Sequence, residues 1–137
     1  MSHALLSPSA SKRWIECPPS ARLTEFLSDT TSVYAAEGTL AHSVAEGKLN
    51  QRLGYAGTKH KCQDAEMDEY TDDYVNFVLE QAVALTNPTV YVEQRVDCSK
   101  YIPECFGTCD ALIVSESVLH IIDLKSGRGI RVDAEEN

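Results

Sequence analysis

The sequence predicts an α+β fold: N-terminal helices, then a three-stranded antiparallel meander. Three observations carry the prediction. Apolar residues recur at three- and four-residue intervals as far as Leu85, an Asn87-Pro88 step interrupts them, and from Thr89 onward the apolar period is two. A chain of 137 residues has room for one ordinary domain with a real core. The period change divides that domain into a helical part over 1–87 and a sheet part over 88–137.

Each element has its own local reason. Ser7 or Ser9 can cap a short helix carrying Trp14 and Ile15, which Pro18-Pro19 must end. Ser20 to Leu27 reads as a second short helix with Leu23, Phe26 and Leu27 on one side, so an amphipathic hairpin is expected, followed by a polar loop from Ser28 to Ser32. From Ala35 to Leu53 a longer helix is marked by Leu40, Ala41, Val44, Ala45, Leu49 and Leu53, with Gly54 as its stop. After a polar loop over Gly57 to Gln63, the spacing of Met67, Tyr70, Tyr74, Phe77, Val78, Gln81, Ala82 and Leu85 traces another helix. Its acidic residues gather toward the N-terminal end, where the helix dipole favours them. In the sheet part, Val90, Val92 and Val96 alternate with Tyr91, Glu93 and Arg95 over Thr89 to Asp97. Phe106 to Val114 and Val118 to Lys125 read as two more strands, joined through Ser115-Glu116-Ser117 as a hairpin.

Composition narrows the function classes. Hydrophobic residues at 43% and charged residues at 24% exclude wholesale disorder and collagen-like structure. No apolar run approaches the roughly 20 residues of a membrane span, and the N-terminal MSHALLSPSASKRW lacks the apolar centre of a signal peptide. A cytoplasmic protein is expected, with no membrane partner. In that reducing compartment the five cysteines, odd in number and irregularly spaced, read as free thiols, and no C-x-x-C pair points to zinc. The formal charge of −9 is uneven: the segment from Cys62 to Asn87 holds seven acidic residues and no Lys or Arg. The near-neutral remainder leaves room for a DNA-binding surface.

The residues with chemical potential lie mainly at the end of the sheet part. Strand alternation puts Asp123 and Lys125 on one face and turns Leu124 away, and a hairpin can bring Asp110 beside Asp123. Two carboxylates held that close repel unless a cation lies between them, and hard oxygen donors suit Mg²⁺ or Mn²⁺. Lys125 would then orient the nucleophile or offset charge in the transition state. By itself a D-x-K tripeptide is usually a solvent-facing ion pair, so its surroundings decide. His42 and Glu46 stand one helical turn apart on a common face, and Glu46 is a secondary candidate. Glu93 is favoured as an exposed strand residue paired with Arg95 or with a neighbouring strand, with a site role as its second reading. Arg128 and Arg131 form a basic cluster after the third strand that would contact phosphates rather than read bases. His3, His60 and His120 read as structural.

Three segments, in order, give those surroundings. Gly107-Thr-Cys-Asp110 leading to Asp123-Leu-Lys125 resembles the PD-(D/E)XK nuclease superfamily. The segment Leu6-Ser-Pro-Ser-Ala-Ser-Lys-Arg-Trp-Ile-Glu-Cys17-Pro18 is similar to the N-terminal segment of its RecB-like branch, and Glu37-Gly-Thr-Leu-Ala-His42 is similar to that branch's Gly-x-x-x-His helix. The resemblance covers nearly the whole chain and implies a Mg²⁺- or Mn²⁺-dependent DNA nuclease, an exonuclease of phage recombination or DNA processing. Its implied metal ligands are His42, Asp110, Asp123 and the Leu124 carbonyl, with Lys125 catalytic beside Asp110 and Asp123. Some members of the branch hold an iron–sulfur cluster through one N-terminal and three C-terminal cysteines. Cys98, Cys105 and Cys109 precede the D-x-K, so no cluster is expected. The branch also continues past its D-x-K into a helix with a Gln-x-x-x-Tyr motif, for which this chain has no counterpart, so a C-terminally incomplete core is expected. That departure and the acidic 62–87 segment motivate an alternative of a different class: a catalytically incomplete phage protein that binds and inhibits a host or defence protein.

Overall fold

The computed structural model describes residues 4–27 and 33–126. The fold is α+β, with N-terminal helices followed by a three-stranded antiparallel sheet in the order β1-β2-β3. A 3-10 turn, Pro8–Ala10, runs into α1 (Ser11–Glu16) and α2 (Ser20–Thr24). Then come α3 (Val33–Leu53), α4 (Ala65–Val83), β1 (Thr89–Asp97), β2 (Phe106–Val114) and β3 (Leu119–Ile122). The loop expected over Ser28 to Ser32 lies outside the described residues. By contacts the chain divides into two compact units, the first containing 4–27 and Arg95–Thr108, the second 33–94 and 109–126.

In the first unit, Pro8 opens the 3-10 turn, and the Ser7 carbonyl accepts both the Ala10 amide at 3.1 Å and the Trp14 indole N–H at 2.9 Å. Pro18 and Pro19 separate α1 from α2, as their missing amides require. The amphipathic face expected over Ser20 to Leu27 does not form. With α2 ending at Thr24, Phe26 and Leu27 fall beyond the helix, and they and Leu23 are exposed while Ala21 is buried. Arg22 instead reaches Glu104 at 2.8 Å. The free-thiol reading also needs correction at two positions. Cys98 and Cys105 form a disulfide, because the 98–105 loop folds back far enough for the Cys98 amide to donate to the Cys105 carbonyl at 3.1 Å, leaving the two Cα atoms 5.2 Å apart. Cys17, Cys62 and Cys109 are free.

The second unit holds the larger core. Helix α3 buries Ala41, Val44, Ala45 and Leu49, and α4 buries Met67, Thr71, Tyr74, Val75, Val78 and Ala82, both at helical spacing. Ala45, Leu49, Tyr74, Val75 and Val78 pack with Val90, Ala111, Ile113 and Leu124 in one cluster. Asp64 caps α4 by accepting the Met67 amide at 2.8 Å. Gly54 ends α3 with φ at 75°, a conformation that costs a glycine little. Strands β2 and β3 pair with Ala111 opposite Ile122 and Val114 opposite Leu119, closed by the Ser115 amide donating to Val118 at 2.9 Å. The third strand was expected over Val118 to Lys125 but ends at Ile122, since the Leu124 amide donates to the Asp110 side chain at 2.6 Å.

Gly47 yields a sharp expectation. A Cβ there would collide with the Thr58 backbone carbonyl, so the loop after α3 closes against the helix only over a residue without a side chain. Alanine in a helix interior ordinarily stabilises, yet Gly47→Ala should cost about 1–3 kcal/mol as an overpacking substitution. Urea denaturation measures this, and an unchanged or raised midpoint would contradict the packing described.

Candidate metal centre

Three elements of the second unit deliver three donor side chains to one place. His42 comes from the middle of α3, Glu93 from β1 and Asp110 from β2, and one donor atom from each lies within 4.8 Å of the other two. His42 Nδ1 stands 3.2 Å from Asp110 Oδ1. The other Asp110 oxygen, Oδ2, accepts the Leu124 amide at 2.6 Å, so the carboxylate is held from both sides. His42, Glu46, Tyr74, Val92, Glu93 and Asp110 line a shared recess.

Glu93 arrives there by a break in strand geometry. Period two would put it on the face away from Val92, but its φ is 49°, in the left-handed region that non-glycine residues seldom occupy. Val92 and Glu93 consequently both line the recess. The favoured reading of Glu93 as an ordinary exposed strand residue is therefore corrected. Arg95, on the same strand, lies over the Phe106 ring at 3.9 Å.

The electrostatics of the group are those of crowded carboxylates. Burial raises the Glu93 pKa first, and the charges of Asp110 and Glu46 raise it further. The hydrogen bond from His42 to Asp110 raises the histidine's pKa; burial works against the rise, while the charges of Asp110, Asp123 and Glu93 add to it. One imidazole nitrogen and two carboxylate oxygens are donors that fit a divalent cation, Mn²⁺ more readily than Mg²⁺ because of the nitrogen. A cation among them would relieve the repulsion that burial amplifies.

The other expected site residues divide. Asp123 stays near enough for its charge to act on His42 and Glu93, but its carboxylate pairs with Lys125 at 2.7 Å, both side chains being about half exposed. It is not one of the three clustered donors. Leu124 is buried in the core and contributes its amide to Asp110. Glu46 lines the recess beside His42. Arg128 and Arg131 lie outside the described residues. In the acidic segment, Lys48 of α3 takes up Asp68 and Asp72, each at 2.7 Å, while Glu66, Glu69, Asp73 and Glu80 are exposed.

Sequence reasoning missed one residue outright. In the sequence Tyr74 is only one member of the apolar stripe of α4, yet it lines the recess. The usable signal was a phenol at a core position, whose hydroxyl needs a partner that Val or Leu would not.

Residues 3–137 match the sequence profile of a family described as "Protein of unknown function (DUF2800)". No solved structure matches the chain.

The His42 pairing sets a pH dependence for the metal-free protein. The raised histidine pKa means that its stabilisation is fully present below 6.5, the ordinary value, and is lost as pH rises through the higher folded value. In EDTA the thermal midpoint should fall as pH rises above 6.5, and that part of the slope should disappear in His42→Gln. A slope that survives the substitution would mean that some other group causes it.

Proposed function

The chain belongs to the DUF2800 family, and from that premise, which assigns no chemistry, we propose that it is a divalent-metal-dependent DNA nuclease of the RecB-like kind or a derivative of one. The observation that supports this reading most is the convergence of His42, Glu93 and Asp110 donors within 4.8 Å, beside a D-x-K whose lysine is half exposed. The resemblance of the Ser7 to Pro18, Glu37 to His42 and Gly107 to Lys125 segments to RecB-like nucleases supports it independently.

Each side chain then has a task. His42, Glu93 and Asp110 hold Mg²⁺ or Mn²⁺, and Asp110 is kept in position by the Leu124 amide. When bound, such an ion supplies Lewis-acid polarisation of a phosphate oxygen and a more acidic water. Asp123 holds the Lys125 ammonium at 2.7 Å, where the lysine can donate to a phosphodiester oxygen and offset charge that develops during cleavage. Glu46 bears on the ligands through its charge on Glu93. DNA is the proposed partner, with Arg128 and Arg131 as phosphate contacts. The proposed compartment is the cytoplasm of a bacterial or phage-infected cell. Among the described residues no helix is long and apolar enough to cross a membrane. Nothing in this reading depends on the Cys98–Cys105 bond.

Incubation of linear and circular DNA with the protein and Mn²⁺ should give cleavage. Asp110→Asn should abolish it, and Lys125→Ala should slow it about a hundredfold, the scale of losing one charge-stabilising donor. Calorimetric titration of Mn²⁺ without DNA should detect binding that Asp110→Asn loses. Binding without cleavage would leave a metal-holding derivative. A protein that neither binds Mn²⁺ nor cuts, but forms a stable complex with a nuclease, would overturn the proposal in favour of the inhibitor reading.

A further inference from the structure

Tyr74 is buried on α4 among Val75, Val78 and Ala82, with 8% of its surface exposed. A phenol so deep in a core ordinarily finds a partner for its hydroxyl, because leaving one unmade costs more than most hydrogen bonds contribute. The chain meets that requirement elsewhere. The Thr71 hydroxyl, one turn earlier on α4, donates to the Met67 carbonyl at 2.6 Å, and the Tyr55 hydroxyl donates to the Val90 carbonyl at 3.2 Å. The Tyr74 hydroxyl has no hydrogen-bond partner among the described residues. It belongs to a side chain that lines the recess where His42, Glu93 and Asp110 meet.

We propose that Tyr74 is a positioning residue of the metal centre, its hydroxyl donating a hydrogen bond to an oxygen bound in the recess, either water or a phosphate oxygen carried on the ion. The inference rests on the reading of His42, Glu93 and Asp110 as cation ligands. It adds a group that is no ligand itself and is contributed by a fourth element. Two features suit a donor role. The hydroxyl is shielded from bulk solvent, so a single hydrogen bond there orients its acceptor strongly. Burial and the nearby charges of Asp110, Glu93 and Asp123 all favour the protonated phenol, which can donate. An unmade bond at this hydroxyl costs local stability, which suits a group kept for a bound ligand, since it has no partner among the described residues.

The test is Tyr74→Phe in the 137-residue chain, which keeps the ring and removes only the hydroxyl. The metal-free variant should be at least as stable as wild type toward urea, because a group without a partner has been deleted. Its Mn²⁺ affinity, measured by calorimetry without DNA, should fall about tenfold, the lower end for groups that orient metal-bound atoms. As a second measurement, the wild-type protein carrying fluorotyrosine should show its Tyr74 resonance, assigned by its absence in the variant, shifting on addition of Mg²⁺. Wild-type binding of Mn²⁺ with unchanged affinity in Tyr74→Phe and no resonance shift would overturn this inference and leave the metal centre standing. A destabilised variant with unchanged affinity would assign the hydroxyl a purely structural role. Failure of the wild type to bind Mn²⁺ or Mg²⁺ would overturn the metal reading, and Tyr74's role with it.

Discussion

The Asp110 carboxylate ties together three parts of the chain that share no local sequence. One oxygen meets His42 on α3 at 3.2 Å, and the other takes the Leu124 amide at 2.6 Å. The second contact does what a further rung of the β2–β3 ladder would have done, and it holds Leu124 in the core next to Ala111 and Ile113. The first brings a helical histidine to the middle of β2. With both oxygens committed, the carboxylate has little freedom to turn away from Glu93, although their charges repel. Without this double anchoring, the recess would have neither a fixed ligand geometry nor a defined edge.

Departures from local rules meet at this recess. Glu93 takes a left-handed backbone conformation within a strand, whereas Asn87 and Glu104, the other described non-glycine residues with positive φ, lie outside the strands. Burial raises the pKa values of Glu93 and Tyr74, and the hydrogen bond to Asp110 raises that of His42. Tyr74 has a buried hydroxyl with no partner among the described residues. Backbone strain, crowded carboxylates and an unsatisfied donor each cost stability, and such costs gather where a site is built rather than where a core is merely packed. The long helices and the hairpin of the second unit are regular: helical spacing on α3 and α4, an aspartate cap on α4 and an antiparallel β2–β3 pairing.

That contrast also separates what was legible in the sequence from what was not. Strands β1 and β2 were readable over their full lengths because period-two patterning is a property of neighbouring residues. The two long helices were readable for the same reason, within two residues at each end. His42 and Asp110 could be singled out as candidate ligands through a family resemblance, but Glu93 could not be favoured, since alternation assigns a face only while φ stays negative. The shortened β3 depended on a side chain fourteen residues away, Asp110, capturing an amide. Leu23, Phe26 and Leu27 misled because an apolar spacing has no helical face once the helix stops at Thr24. Likewise, the pairing of Cys98 with Cys105 follows from the path of a loop and not from their spacing.

The central claim is that His42, Glu93 and Asp110 together bind one divalent cation. Pulsed electron paramagnetic resonance of the protein with substoichiometric Mn²⁺ tests it at the level of individual ligands. Bound Mn²⁺ should show a nitrogen coupling from a directly coordinated imidazole, and that coupling should vanish in His42→Gln while persisting in His120→Gln. Mn²⁺ that remains spectroscopically free, or a directly coordinated nitrogen that survives His42→Gln, would contradict the account.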